Sequence, residues 1–243
     1  MLGEKRIVSV ITARAGSKGI PGKNYRKLMN EPLFLWSVKA SCLSKYVDVT
    51  AISSNCPECK KFYDEAKRSG SIPQDVVWIQ RPEEYATALS KNEEALIHAL
   101  EVLDGSFDVI VNLQPTSPCR NNSLIDRCLE AMDAGGHDSM LTGTKDTPFL
   151  WRKRKGIWEY TIDFNGCCNR KMRQEFEEEE FLYHDNGNIF MTNVDWLLQT
   201  KCRIGTMPGV FETEGLQNMQ IDEEFDFVAI EMIAKAQNME SLV

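Results

Sequence analysis

The stretch Arg14-Ala15-Gly16-Ser17-Lys18-Gly19-Ile20-Pro21-Gly22-Lys23-Asn24 puts three glycines and three cations into one short loop. Glycines let the backbone turn sharply and approach a ligand closely. Backbone N–H groups together with Arg14, Lys18 and Lys23 are what a polyphosphate needs. The loop contains neither G-x4-G-K-S/T nor G-x-G-x-x-G, so it is not one of the common phosphate cradles. Far along the chain, Asp222 stands just before a helical pattern. A carboxylate there favours the helix dipole and can cap the helix. Hydrolase chemistry is disfavoured: no G-x-S-x-G occurs, His98 and His137 fall in helix or turn context, and His184 reads as a loop histidine that could line a pocket.

These residues need a scaffold, and the hydropathy pattern supplies one. Strands are predicted over 7–11, 47–52, 76–79, 109–113 and 140–144 from short β-branched or continuous apolar runs. Between them, 32–43, 56–68, 92–103 and 123–134 read as helices. The first is opened by Pro32 with a stripe at 33, 36, 40 and 43, and the last is stopped by Gly135-Gly136. This alternation predicts an α/β fold with a mostly parallel sheet and helices on both faces, whose ligands bind at the carboxyl ends of strands. The rhythm breaks over 146–205, where basic runs and Glu177 to Glu180 occur, so one domain over 1–243 with an embedded excursion is expected. The last helix is expected to bury Phe225, Val228, Ala229, Met232, Ile233 and Ala236, with Asp222, Glu223 and Glu224 at its start.

Composition excludes several classes. The chain has 243 residues, 28 Lys plus Arg against 36 Asp plus Glu, and a net charge of −8. Its 42% hydrophobic and 26% charged content is that of a globular protein. The acidic balance argues against broad nucleic-acid binding, while leaving room for a local cationic pocket. No run is long enough to span a membrane and no secretory leader is visible, which points to the cytoplasm. Of the eight cysteines, Cys56-Pro-Glu-Cys59 forms one C-x-x-C without a second pair or His-x3-His, so reduced thiols at a helix start are expected rather than a zinc or redox centre.

Residues 11–24 resemble the signature loop of the acylneuraminate cytidylyltransferases, the CMP-sialic acid synthetases. Leu113-Gln114-Pro115-Thr116-Ser117-Pro118-Cys119-Arg120 resembles that family's second motif nearly letter for letter. Arg81-Pro82-Glu83, Arg173-Gln174, Asn186-Gly187-Asn188-Ile189-Phe190 and Ile221 to Phe227 follow in the family's order. The resemblance implies a Rossmann-like nucleotidyltransferase fold with a dimerisation excursion. It implies transfer of CMP from CTP to a sialic-acid-like nonulosonic acid, with Mg²⁺ as cofactor and a homodimer as the assembly. Carried over by residue, Arg14, Lys23 and Asp222 would be catalytic. Ala13, Arg14, Gly16, Ser17, Lys18, Lys23, Asn24, Arg81 and Gln114 would bind nucleotide. Gln114, Arg173, Asn186 and Phe190 would bind the acceptor, and Asp222 would hold the metal.

The departures bear on substrate. Sialic acid members often carry Asp-Ile-Asp where this chain has Gln220-Ile221-Asp222, and an Asp-Thr pattern where it has Thr87-Ala88-Leu89-Ser90. A lysine that reads the sugar carboxylate in some members is replaced near Phe149-Leu150, where Arg152, Lys153 or Arg173 could serve. Tyrosine of the usual Asn-Gly-x-Ile-Tyr is Phe190. A different nonulosonic acid is therefore a natural acceptor. An enzyme for another acid such as 3-deoxy-manno-octulosonate, or for a sugar phosphate, is the alternative, as is a nucleotide-binding protein without turnover.

Overall fold

The computed structural model describes residues 2–16, 19–120, 122–147, 149–160 and 171–243. The chain runs β1 (Ile7–Thr12), β2 (Lys27–Leu28), β3 (Glu31–Pro32), α1 (Leu33–Leu43), β4 (Val49–Ser54), α2 (Pro57–Ser69), β5 (Val77–Gln80), α3 (Asn92–Val102), β6 (Val109–Leu113), α4 (Asn122–Ala134) and β7 (Ser139–Asp146). It continues through β8 (Trp151–Arg154), β9 (Ile157–Tyr160), β10 (Leu182–Asn193), α5 (Val194–Thr200), β11 (Pro208–Glu212) and α6 (Glu224–Ala236). Every strand and helix expected up to residue 144 is present, with bounds shifted by a residue or two.

The main sheet has seven strands in the order β11-β7-β10-β6-β1-β4-β5. β1 pairs in parallel with both β4 and β6, β4 with β5, and β7 with β11. β10 runs antiparallel between β6 and β7. The chain winds outward from β1 through β4 and β5, then returns to the other side of β1 with β6. The reversal of strand order falls between β1 and β6, and the open crevice at their carboxyl ends is where such sheets bind ligands.

β1 is fully buried, and its side chains alternate between two cores. Ile7 and Ile11 join Phe34, Val38, Cys59, Leu124, Cys128 and Leu129 under α1, α2 and α4. Val8 and Val10 join Leu96, Ala99, Ile110 and Leu197 under α3 and α5. Helices therefore cover both faces, as the continuous apolar strands require. α2 begins with Cys56 as its N-cap, whose sulfur accepts from the Cys59 N–H at 3.5 Å.

Two expectations about helix faces are corrected. α1 does not bury a single stripe: Leu33 to Val38 are all buried, because the helix is sandwiched between the sheet and a third core, while Leu43 is exposed. That third core, made by Ile20, Leu28, Leu33, Trp36, Ile221, Phe227, Ile230 and Ala234, also reverses the expected face of α6. Phe225, Val228 and Met232 face solvent, and Phe227, Ile230 and Ala234 face inward. Both faces carry apolar residues at helical spacing, so periodicity alone selects neither.

The irregular region is also narrower than 146–205. Its second part, β10, enters the middle of the main sheet, and α5 packs beneath it. The strand escapes the apolar pattern because its buried half carries Asn186, Asn188 and Thr192 among the apolar residues. Their polar atoms are paired. Asn186 donates to Thr213 Oγ1 at 2.6 Å and to Asn218 Oδ1 at 3.1 Å, and accepts from Thr142 Oγ1 at 2.7 Å. Asn188 donates to the Gln217 carbonyl at 2.7 Å.

Arg120, fully buried at the end of the loop after β6, ties β10 to the rest. Its Nε donates to Asn188 Oδ1 at 2.6 Å and Nη1 to Ser37 Oγ at 2.6 Å. Its Nη2 donates to the Asn188 and Gln114 carbonyls at 2.6 and 3.0 Å. Burial without a carboxylate partner pulls the guanidinium down to about 9.

The buried face of α6 is tested by a pair of truncations. Phe227→Ala should cost about 3–5 kcal/mol in urea unfolding, and Phe225→Ala should stay within about 0.5 kcal/mol of the wild type. Arg120→Lys keeps the charge but not the planar fork, and leaves buried acceptors unpaired. It should cost at least about 2 kcal/mol in the same measurement.

Candidate active site

A cleft of about 250 Å³ opens at the carboxyl ends of β1 and β6, lined by Thr12, Arg14, Lys23, Asn24, Arg81, Asn92, Gln114, Pro115 and Thr116. The loop after β1 supplies Arg14, Lys23 and Asn24, the turn after β5 supplies Arg81, and the loop after β6 supplies Gln114 to Thr116. Residues predicted from three separate sequence segments thus meet at the strand-order reversal.

Each cation is held by neutral groups or by a carboxylate. Arg14 Nη1 donates to the carbonyl of Thr87, which draws the 87–90 turn over the loop. Asn24 Nδ2 donates to the Arg14 carbonyl at 2.8 Å and closes the loop on itself. Lys23, almost wholly buried, donates through Nζ to the Ile221 carbonyl at 2.6 Å and to Asp222 Oδ1 at 3.1 Å. Arg81 donates from Nε to Ser53 Oγ at 3.0 Å and from Nη2 to the Ser53 carbonyl at 2.6 Å. Burial, reinforced by the charge of Arg14, pulls Arg81 down to about 10. Two cations held this close with no carboxylate between them suit an anion entering from solvent.

Asp222 is not the cap of α6. The N-cap is Glu223, and Asp226 at N3 completes a capping box, its Oδ2 accepting from the Asp222 and Glu223 N–H groups at 2.7 and 2.8 Å. The Asp222 side chain is left 68% exposed beside Lys23. The segment carrying it is anchored by the Ile221 N–H, which donates to the Thr116 carbonyl at 2.8 Å. Gly19 packs directly on it: a Cβ there would lie 2.8 Å from the Asp222 carbonyl oxygen, so the loop can reach Asp222 only with glycine at this position. Among the described residues no three His, Cys, Asp or Glu side chains form a metal cage. Mg²⁺ does not need one, since one or two carboxylates with substrate phosphates and water suffice. The exposed Asp222 carboxylate, next to a phosphate-type loop, fits that donor set.

Several expected residues stand elsewhere. Ala13 is buried, its N–H donating to the Ser53 carbonyl at 3.0 Å and its carbonyl accepting from Ser54 Oγ at 2.5 Å, so neither group faces the cleft. Gly16 is exposed at the start of the loop. Asn186 is spent on the buried network described above. Phe190 is buried with the Arg203 guanidinium 3.8 Å over its ring, and pairs across the sheet with Asn112 and Leu141. Arg173 lies exposed in a short 3₁₀ turn, away from the lining residues, and His184 is exposed on β10. Ser17 and Lys18 lie outside the described residues. Sequence reading passed over Asn92 at the first turn of α3 and the positioning of the Gln114 loop by Arg120, which only three-dimensional proximity reveals.

Comparison with known proteins agrees with this geometry. The family model for cytidylyltransferases matches residues 8–149. An N-acylneuraminate cytidylyltransferase from Oncorhynchus mykiss is 31% identical over 78% of this chain, which spans 42% of that protein. A CMP-N,N'-diacetyllegionaminic acid synthase from Legionella pneumophila is 29% identical over 98% of this chain and 100% of its own length. The N-acylneuraminate cytidylyltransferase of Escherichia coli is 24% identical over 98% of this chain, which covers 54% of it. Among solved structures, a CMP:2-keto-3-deoxy-manno-octonic acid synthetase complexed with CTP superposes with a TM-score of 0.68 at 13% identity, covering 96% of this chain and 100% of that one. The match of the family model over more than half the chain makes this protein a member of the cytidylyltransferase family.

Proposed function

We propose that the protein joins CTP to a sialic-acid-like nonulosonic acid, releasing pyrophosphate and forming the CMP-sugar. The carrying observation is the cation-lined cleft at the carboxyl ends of β1 and β6, where Arg14, Lys23 and Arg81 converge with Gln114. The end-to-end match to the Legionella synthase supports an acid of the legionaminic class.

In this reading a hydroxyl of the acid attacks the α-phosphorus of CTP, and the bond from that phosphorus to the β-phosphate oxygen breaks. Arg14 and Lys23 bind the triphosphate and carry the charge that builds on it. Arg81, fixed by Ser53, lines the cleft and meets the base. Gln114 lies between nucleotide and acid. Asp222 would hold Mg²⁺, which would supply charge neutralisation at the phosphates. The work of the chain is positioning, and it does this with groups already locked by hydrogen bonds.

The protein is proposed to act as a cytoplasmic homodimer. No helix among the described residues is long and apolar enough to cross a membrane. The β8–β9 hairpin exposes Ile157 and Trp158 at 67% and 62%, which supports that hairpin as the contact.

Incubation with CTP, Mg²⁺ and either N-acetylneuraminic or N,N'-diacetyllegionaminic acid should release pyrophosphate. Release only with 3-deoxy-manno-octulosonate would favour the alternative acceptor, and no release from folded protein with any acid would overturn the proposal. Lys23→Ala should lower kcat by about 10²–10³-fold. Sedimentation should give a dimer, and Trp158→Glu should shift it toward monomer.

A further inference from the structure

The acceptor side of the cleft contains a pair of amide side chains. β10 breaks register between Asp185 and Phe190, and Gly187 sits in that bulge with φ 65°. Such irregularities re-aim backbone next to functional sites. A Cβ on Gly187 would lie 1.7 Å from Gln220 Nε2 and 3.2 Å from Gln114 Oε1. Both carboxamides therefore converge on the same bare stretch of backbone, and a side chain at 187 would displace them. The bulge is fixed from beneath by Arg120 on Asn188, and the Gln220 segment is fixed by Ile221 on Thr116.

We infer that Gln220 is a specificity-determining residue that, with Gln114, reads a hydroxyl or acylamino group of the acceptor. The inference rests on the acid acceptor proposed above. A carboxamide pair offers one acceptor oxygen and one N–H donor at a single point. A hydroxyl both accepts and donates, so it satisfies both at once. A carboxylate only accepts, and would leave one amide oxygen facing a like charge. Asp222 lies two residues on, directed instead at Lys23. Gln220 is thereby assigned to the sugar and Asp222 to the phosphate side.

The test compares wild type with Gln220→Ala and Gln220→Glu, using N,N'-diacetyllegionaminic and N-acetylneuraminic acids with CTP and Mg²⁺. Loss of one neutral hydrogen bond should raise the KM for the acid about tenfold. In Gln220→Ala the KM for CTP and the half-saturating Mg²⁺ concentration should stay unchanged. Saturation-transfer NMR of the acid should weaken in parallel, independently of turnover. If the acid KM and its NMR signal are unchanged in both variants, or if the Mg²⁺ requirement of Gln220→Ala moves instead, the assignment is overturned. Wild-type protein that turns over no acid at all would instead fail the proposed function, so the two failures are distinguishable.

Discussion

One buried guanidinium holds the two halves of the sheet in the arrangement the cleft needs. Among the described residues Arg120 has no carboxylate partner, and desolvation of such a charge is costly unless its N–H groups find acceptors. Here it donates to carbonyls of Gln114 and Asn188, to the Asn188 amide oxygen and to the Ser37 hydroxyl. Those four acceptors come from α1, from the loop after β6 and from the bulge of β10. Their relative positions fix where Gln114 stands and how Gly187 faces it. A lysine point charge could not reach all of them, which is why a planar fork belongs at this position.

The charge distribution follows a similar logic. A net charge of −8 describes the surface, not the cleft. In the cleft, burial disfavours the charged form of Arg81, and the charge of Arg14 adds to this. Lys23 is the exception, since Asp222 already partners it. A polyphosphate entering the site would relieve the repulsion between the arginines, and this relief is available only to an anion. The same acidic surface that disfavours long polyanions leaves a small one as the matching ligand.

Much of the scaffold was legible because α/β alternation writes itself in continuous apolar strands and helical stripes. β1, β4, β6, α3 and α4 fall within a residue or two of the expected bounds. The loop after β1 was legible because three glycines and three cations in so short a span have few structural uses. What escaped did so for identifiable reasons. β10 buries asparagines, whose amides are satisfied only by partners far along the chain, such as Thr213 and Asn218. α6 carries apolar residues on two faces, and only the third core, built by Ile20, Leu28 and Trp36, decides between them. Phe190 reads as a motif position, yet the pleat turns it toward Arg203 and away from the cleft. Periodicity reports that a side chain is apolar; it does not report which neighbour will cover it.

The segment Gln220-Ile221-Asp222 shows how little sequence is needed to divide a site. Ile221 is fully buried in the third core and its N–H is tied to Thr116, so the flanking side chains both stand on the side opposite that core. In extended backbone they stand about 6.6 Å apart. Asp222 meets Lys23, while Gln220 covers Gly187, the glycine that Gln114 also approaches. A carboxylate at both positions would give the two sides of the cleft the same sign and draw cations to each. With a carboxamide at 220, the negative charge is confined to the Lys23 side, and the other side recognises by donor–acceptor geometry alone. A polar neutral group there discriminates between acceptors through matched or orphaned hydrogen bonds, which separate close analogues more sharply than an added methylene in an apolar pocket does.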